Sequence, residues 1–184
     1  MSTGLENINT LNTQDDLKKQ VYQILETVLD PEVPVLSVVD LGIIRDVQIL
    51  APPSGGGGGW GVEVFVTPTY SGCPAIDIIN VHIRMALLQH GFKEIRITQL
   101  LSPAWTTDWI SEAGREKLKA YGIAPPHYRQ SVCTPEAFQA EEAIQCPLCQ
   151  SYNTRLVSQF GSTACKALYQ CNDCKEPFDY FKCH

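Results

Sequence analysis

The chain has little of what would place it in a membrane, outside a cell or on a nucleic acid. No uninterrupted apolar stretch approaches the roughly 20 residues that a membrane-crossing helix needs. The opening residues, MSTGLENINTLNTQDD, lack the basic and apolar regions of a secretory leader, so the expected location is the cytoplasm. Basic residues are few: Lys plus Arg is 14 against 20 for Asp plus Glu, a formal net charge of −6. With no basic block, nucleic acid is not expected as the main partner, and the same holds for a zinc-ribbon adaptor on DNA or RNA. Charged residues are only 18% of the 184 and hydrophobic ones 44%, a balance of folded rather than disordered chains. What the chain does have is eight cysteines. A reducing compartment keeps thiols free, so clustered ones there point to metal or to chemistry rather than to disulfides.

The cysteines divide the chain. Six lie after residue 145: Cys146, Cys149, Cys165, Cys171, Cys174 and Cys183, leaving only Cys73 and Cys133 before it. The segment over 123–143 carries several prolines and little apolar periodicity, and reads as a linker. The expected organisation is a main domain over 13–122, that linker, and a cysteine-rich module over 144–184. A module this short cannot bury a self-sufficient core and needs a metal or another staple.

In the main domain, Thr13 to Asp16 has capping-box spacing, and Leu17, Val21, Ile24, Leu25 and Val28 recur on one helical face until Pro31 ends it. LGIIRDVQIL and GVEVFVTP read as strands, the second by its alternating valines. The Gly55 to Gly59 run between them lacks the lysine and following helix of a phosphate loop, so a hairpin loop is expected. Pro74 suits the first position of a second helix with Ile76, Ile79, Ile83 and Leu87 buried and Gly91 as its stop. KEIRITQL reads as a third strand. The stretch from Trp105 to Tyr121 holds a helix capped near Thr107 or Ser111 and ended by Gly122. The expected class is α+β: a small, mostly antiparallel sheet with helices on one face, followed by the metal-stapled module.

Two places carry chemistry. Cys73 leaves a turn of small residues and enters a helix, where the positive end of the dipole and unpaired N–H groups favour thiolate. A buried, inert thiol is the alternative, and neither His82 nor His90 is placed to form a thiol-enzyme pair with it. The second place is the tail. Cys146-x2-Cys149, 21 residues, then Cys171-x2-Cys174 presents four sulfurs on two tight knuckles. This spacing points to structural zinc, with iron as the other occupant the same thiolates accept. RLVSQF and KALYQ read as strands of that ribbon. Cys165 sits beside Lys166 as either a fifth thiolate or a buried spacer, and Cys183-His184 as a terminal end.

At the level of motifs, Asp30-Pro31-Glu32-Val33-Pro34-Val35 with Val38-Val39-Asp40-Leu41-Gly42-Ile43-Ile44 resembles the opening of the iron–sulfur cluster assembly domain of SufT-type factors. Thr67-Pro68-Thr69 to Gly72-Cys73-Pro74 is similar to that family's loop with its single reactive cysteine. Ser102 to Ser111 is similar to the segment after its third strand. Joined to a C-terminal ribbon, the whole resembles the PaaD-type accessory proteins of aerobic phenylacetate catabolism.

That resemblance implies a non-enzymatic role: maturing the multicomponent phenylacetyl-CoA epoxidase, with its ferredoxin-type reductase component as client. It places the functional weight on Cys73, with Glu32, Asp40 and Thr67 as the polar members of the motif. One thiolate cannot hold a cluster, which usually takes four. A transient site then follows, shared across a homodimer, completed by a client, or limited to an iron ion or persulfide. For Asp30 and Asp40 the plainer reading is turn capping. The competing function is a structural subunit or docking component of the oxygenase complex with no cluster of its own.

Overall fold

The structure, a computed structural model, describes residues 13–51, 60–70, 72–126 and 144–182. The chain forms two compact units, Met1–Trp105 and Thr106–His184.

In the first unit, α1 (Gln14–Leu25) starts at Thr13, whose hydroxyl accepts the N–H of Asp16 at 3.1 Å. Leu17, Val21, Ile24 and Leu25 lie on its buried face. The helix stops before the apolar period does, because Val28 is buried from the turn that follows, where Leu29 bridges Ser37. Strand β1 (Ile44–Leu50) pairs antiparallel with β2 (Gly61–Val66), and the alternating Val62, Val64 and Val66 point into the core. Helix α2 (Ala75–Gln89), with Pro74 at its N-cap, carries the chain back to β3 (Glu94–Gln99). β3 pairs parallel with β2, so the order β1-β2-β3 is a mixed sheet rather than a mostly antiparallel one. The reason is the crossover: a helix of this length returns the chain to the end at which β2 began, which a hairpin cannot do. Helix α1 packs on β1 and on α2, and α2 packs on β3.

The second unit opens with a single 3-10 turn, Thr107–Trp109, and α3 (Glu112–Tyr121). Ser111 Oγ caps the helix by accepting from Gly114 N at 2.9 Å, and Gly122 ends it in the left-handed region at φ 89°. Strand β4 (Ile123–Ala124) then joins β5 (Thr154–Ser158), β6 (Lys166–Cys171) and β7 (Pro177–Phe181) in a sheet of order β4-β7-β6-β5. Helix α3 and residues 123–124, read from sequence as the close of the first domain and the start of a linker, thus fall within the ribbon's compact unit. A two-residue strand shows no periodicity, yet it covers the outer edge of β7. The core of this unit is Ala124, Ile144, Cys146, Ala167, Cys171, Phe178 and Tyr180, with Tyr169 stacked on Phe178 at 5.9 Å. Among the described residues no helix is long and apolar enough to cross a membrane.

Candidate sulfur-ligand sites

Three segments meet at the carboxyl end of the parallel strands β2 and β3. Thr67 N donates to Ile43 O at 2.9 Å, and Leu100 N donates to Val66 O at 2.8 Å. The indole N–H of Trp105 reaches Leu41 O at 2.9 Å. The turn before β1, the loop 67–73 and the segment after β3 are thereby fixed to one rim. This end of parallel strands is where open α/β sheets receive ligands. Loop 67–73 delivers Cys73 to the start of α2. Its N–H donates to Tyr70 O, and its own carbonyl accepts from Ile76 N, both at 3.3 Å. The side chain is 9% exposed and forms no disulfide. The preceding Gly72 has φ +92°, and a Cβ there would meet nothing within 4 Å. Backbone conformation, not space, therefore calls for glycine at that position.

The other motif residues take different places. Asp30 Oδ1 accepts from Glu32 N (2.8 Å) and Val33 N (2.7 Å). Asp40 Oδ2 accepts from both the N–H (3.0 Å) and the hydroxyl (2.9 Å) of Ser37, whose Oγ in turn accepts from Asp40 N. These carboxylates shape turns, the plainer of the two readings open from sequence. Glu32 is half-buried on the first of them. Thr67 is 2% exposed, and its Oγ1 has no hydrogen-bond partner. Cys73, Glu32 and Asp40 are not gathered into a ligand set: among the described residues, the only group of three or more Cys, His, Asp or Glu ligand atoms so gathered lies in the ribbon. His82 is exposed on α2, and His90 Nδ1 lies 2.7 Å from Ala86 O, so neither joins Cys73.

The ribbon group is Cys146, Cys149, Cys171 and Cys174, whose sulfurs all lie within 4.8 Å of one another. Cys146 and Cys174 are 3.8 Å apart, and Cys149 and Cys171 3.5 Å. Each knuckle turns the same way: the residue after its second cysteine, Gln150 or Lys175, has positive φ (65° and 67°). Cys146 N donates to Ser151 O, and Cys171 N donates to Glu176 O. Asp173 clamps the knuckles together, accepting from Ser151 Oγ and from Asn153 Nδ2. The sequence reading missed this clamp, since an Asp inside C-x2-C looks like any turn residue.

The metal-free thiols share protons unevenly. Backbone N–H groups, that of Cys174 foremost, draw Cys171 down to about 7. For Cys174 the N–H of Glu176 pulls the same way but is outweighed by burial and the neighbouring sulfurs, and the thiol is pushed up to about 12. Four soft donors converging from two sheet turns, two of them buried in the core, fit a closed structural metal such as zinc. Cys165 stands apart: it is buried, with Thr163 Oγ1 at 3.0 Å from its sulfur. Cys133, Cys183, His184 and the Gly55 to Gly59 run lie outside the described residues.

The unit that carries Cys73 and the unit that carries the four-cysteine ribbon are each matched by a known family, an iron–sulfur cluster assembly domain and a zinc ribbon in turn. Residues 18–94 match the family described as iron–sulfur cluster assembly protein, and residues 130–182 match the PaaD zinc beta ribbon domain. The chain belongs to the PaaD family. It is 45% identical over 166 residues to an Escherichia coli protein named as one of the subunits of 1,2-phenylacetyl-CoA epoxidase, covering 89% of this chain and 92% of that one. It is 37% identical over 103 residues to an Fe-S protein maturation auxiliary factor of Porphyromonas gingivalis, covering 55% of this chain and 87% of that one. Among solved structures, the DUF59 domain of unknown function from Bacillus anthracis aligns with a TM-score of 0.48 and 25% identity, over 57% of this chain and 93% of that one.

Proposed function

We propose that the protein is a non-enzymatic maturation factor of aerobic phenylacetate catabolism, acting in the cytoplasm on an iron–sulfur component of phenylacetyl-CoA epoxidase. The observation that carries this is that Cys73 belongs to no group of three or more ligand atoms among the described residues. A thiol on an anchored rim, short of the four ligands a cluster usually takes, suits a group that hands cargo on rather than one that keeps it. The cargo is an iron ion, a persulfide or a cluster held in transit, and the client's own thiolates supply the missing ligands. The ferredoxin-type reductase component fits as that client, because its cluster needs four such ligands. Thr67, Asp40 and Glu32 serve this rim: Asp40 by fixing the turn before β1, Thr67 by a buried hydroxyl at the start of the Cys73 loop, Glu32 by its carboxylate on the Asp30 turn. The ribbon's metal is structural in this scheme. Its four sulfurs leave no open coordination position, so hydrolytic chemistry is not assigned to it.

The test is epoxidase expressed beside the wild type or Cys73→Ser. The expected result is a folded Cys73→Ser protein and a client that loses its iron, its sulfide and its visible absorption. A fully loaded client beside the mutant overturns the reading. A second reading, a stoichiometric structural component of the complex, draws on the name of the Escherichia coli relative, which calls that protein a subunit. It predicts one copy per purified, active epoxidase, whereas a maturation factor is recovered in less than stoichiometric amount.

A further inference from the structure

The four sulfurs of the ribbon are not equally placed to keep a metal. Cys146 and Cys171 are fully buried, whereas Cys149 lies at the surface. A closed four-thiolate site opens by losing one ligand first, and the thiolate in contact with water is the first to be replaced. Retention of the metal therefore depends on what holds Cys149. Backbone amides supply part of the hold. The N–H of Ser151 donates to the Cys149 sulfur, and the N–H of Asp173 donates to the Cys171 sulfur, 3.5 Å from that of Cys149.

The same two residues are joined through their side chains. Ser151 Oγ donates to Asp173 Oδ2 and accepts from Asn153 N at 3.0 Å. Asp173 Oδ1 accepts from Asn153 Nδ2 at 2.8 Å. Asn153 in turn accepts from Asn172, at its carbonyl from the backbone N–H (2.8 Å) and at Oδ1 from Nδ2 (2.9 Å). Neither Ser151 nor Asp173 belongs to the ligand group. We propose that the pair is a latch that retains the ribbon metal by positioning Cys149 against Cys171. The latch lies within the ribbon's own unit and stands whatever Cys73 does.

Charge does not account for an aspartate at this place. Four thiolates around a divalent ion already leave the centre net negative, and a carboxylate beside two of the sulfurs repels them. Its hydrogen bonds are the gain. Asp173 is exposed, where a lone contact between two mobile side chains is worth little. Here both partners sit on turns already fixed by backbone bonds, Cys146 N to Ser151 O and Cys171 N to Glu176 O, so little freedom is left to lose. Partners that orient metal ligands in this way typically change metal affinity by roughly 10–100-fold when removed.

The full chain loaded with Zn2+ and mixed with excess chromophoric chelator tests this, the colour reporting the rate of release. Uptake of one Co2+ per chain, read from its visible spectrum, verifies that each variant folds and binds. Asp173→Ala and Ser151→Ala should each release Zn2+ at least about tenfold faster than wild type. The double variant should be no faster than Asp173→Ala, because both changes remove the same bond. Asp173→Asn removes the charge but keeps the shape. Its amide oxygen still accepts from Asn153 and its NH2 donates to Ser151 Oγ, so release should stay near the wild-type rate. Should Asp173→Ala fail to take up Co2+, Ser151→Ala, which loses a single oxygen, carries the test. Wild-type release from the Ala variants overturns the proposal. So does Asp173→Asn releasing as fast as Asp173→Ala, which would make the effect one of charge, or a double variant whose factor is the product of the single ones.

Discussion

The indole N–H of Trp105 donates to the backbone carbonyl of Leu41 at 2.9 Å, across 64 residues of sequence. It ties the segment after β3 to the turn before β1, and both residues are almost fully buried. Leu41 follows directly on the Ser37–Asp40 turn. This contact therefore holds one wall of the Cys73 rim in place.

Replacing that indole by a phenyl ring keeps most of the packing and leaves the Leu41 carbonyl unpaired. Trp105→Phe should lose about 1–3 kcal/mol of stability. Urea unfolding followed by circular dichroism measures it. A loss near zero would mean that water satisfies the carbonyl and that the tie is not structural.

Thr67 supplies the opposite kind of case. Its hydroxyl is buried at 2% exposure without a partner, a cost that packing alone would remove. Thr67→Val should therefore raise stability by about 1 kcal/mol. On the maturation reading it should also lower the iron delivered to a co-expressed client. Urea midpoint and client iron together check this, since a stabilised and fully competent variant would leave Thr67 with a structural role only.

Much of this was legible from the residues alone, for reasons that can be named. Helix α3 was readable because Ser111 and Gly122 are chemical start and stop signals, and the structure uses both. The ribbon metal site was readable because thiol spacing is a local geometric constraint. The parallel pairing of β2 with β3 was not, since each strand's alternation is the same for either direction. Nor was the grouping of α3 with the ribbon's unit, or the role of Arg115, which ties α3 to the segments before and after it. Its buried guanidinium donates to Thr107 O at 2.6 Å and Pro126 O at 2.5 Å. In the sequence it looks like one more charge on a surface helix. Cys73 could be placed at its helix entrance, but whether Glu32 and Asp40 stand beside it is a tertiary matter. Two of the hydrogen bonds that Asp40 accepts come from Ser37 of its own turn.

The ion pair between Lys18 Nζ and Asp46 Oδ1, 2.7 Å apart, gives a pH signature with a definite sign. Its hydrogen bond to Lys18, helped by the N–H of Val47, holds the Asp46 carboxyl below the usual value of 3.8. The same bond raises Lys18 above 10.5. The depressed acid stabilises the fold above its unfolded pKa, and this is lost as pH falls through the folded one. The raised base stabilises the fold below 10.5, and this is lost as pH rises past its folded value. Both side chains are more than a third exposed, so solvent screens the pair. Asp46→Asn should cost under about 1 kcal/mol at neutral pH. The difference should shrink as pH falls through the folded-state pKa of Asp46, below which the carboxyl is protonated in both states. Urea midpoints of the two proteins at neutral and acid pH check the sign.

Removing the ribbon metal should dismantle one unit and spare the other. Cys146 and Cys171 are ligands and core residues at once, fully buried with Ile144, Phe178 and Tyr180. Without metal, thiols packed this closely lose the ion that binds them, and the apolar side chains around them are too few to hold the sheet. Structural zinc in comparable peptides is worth on the order of 10–16 kcal/mol, so its loss exceeds what such a unit can absorb. A strong chelator, or Cys171→Ser, should abolish one bound metal per chain and the amide protection of residues 166–171 and 177–181. Protection of β1, β2 and β3 should persist, because that sheet has its own core of Val62, Val64, Ile83 and Leu87. Hydrogen exchange with mass spectrometry resolves the two regions, and metal analysis identifies the ion. Cys149→Ser should be milder, because Cys149 is the exposed ligand and its loss leaves the buried packing intact. Equal collapse of both units on chelation would show instead that the two fold as one.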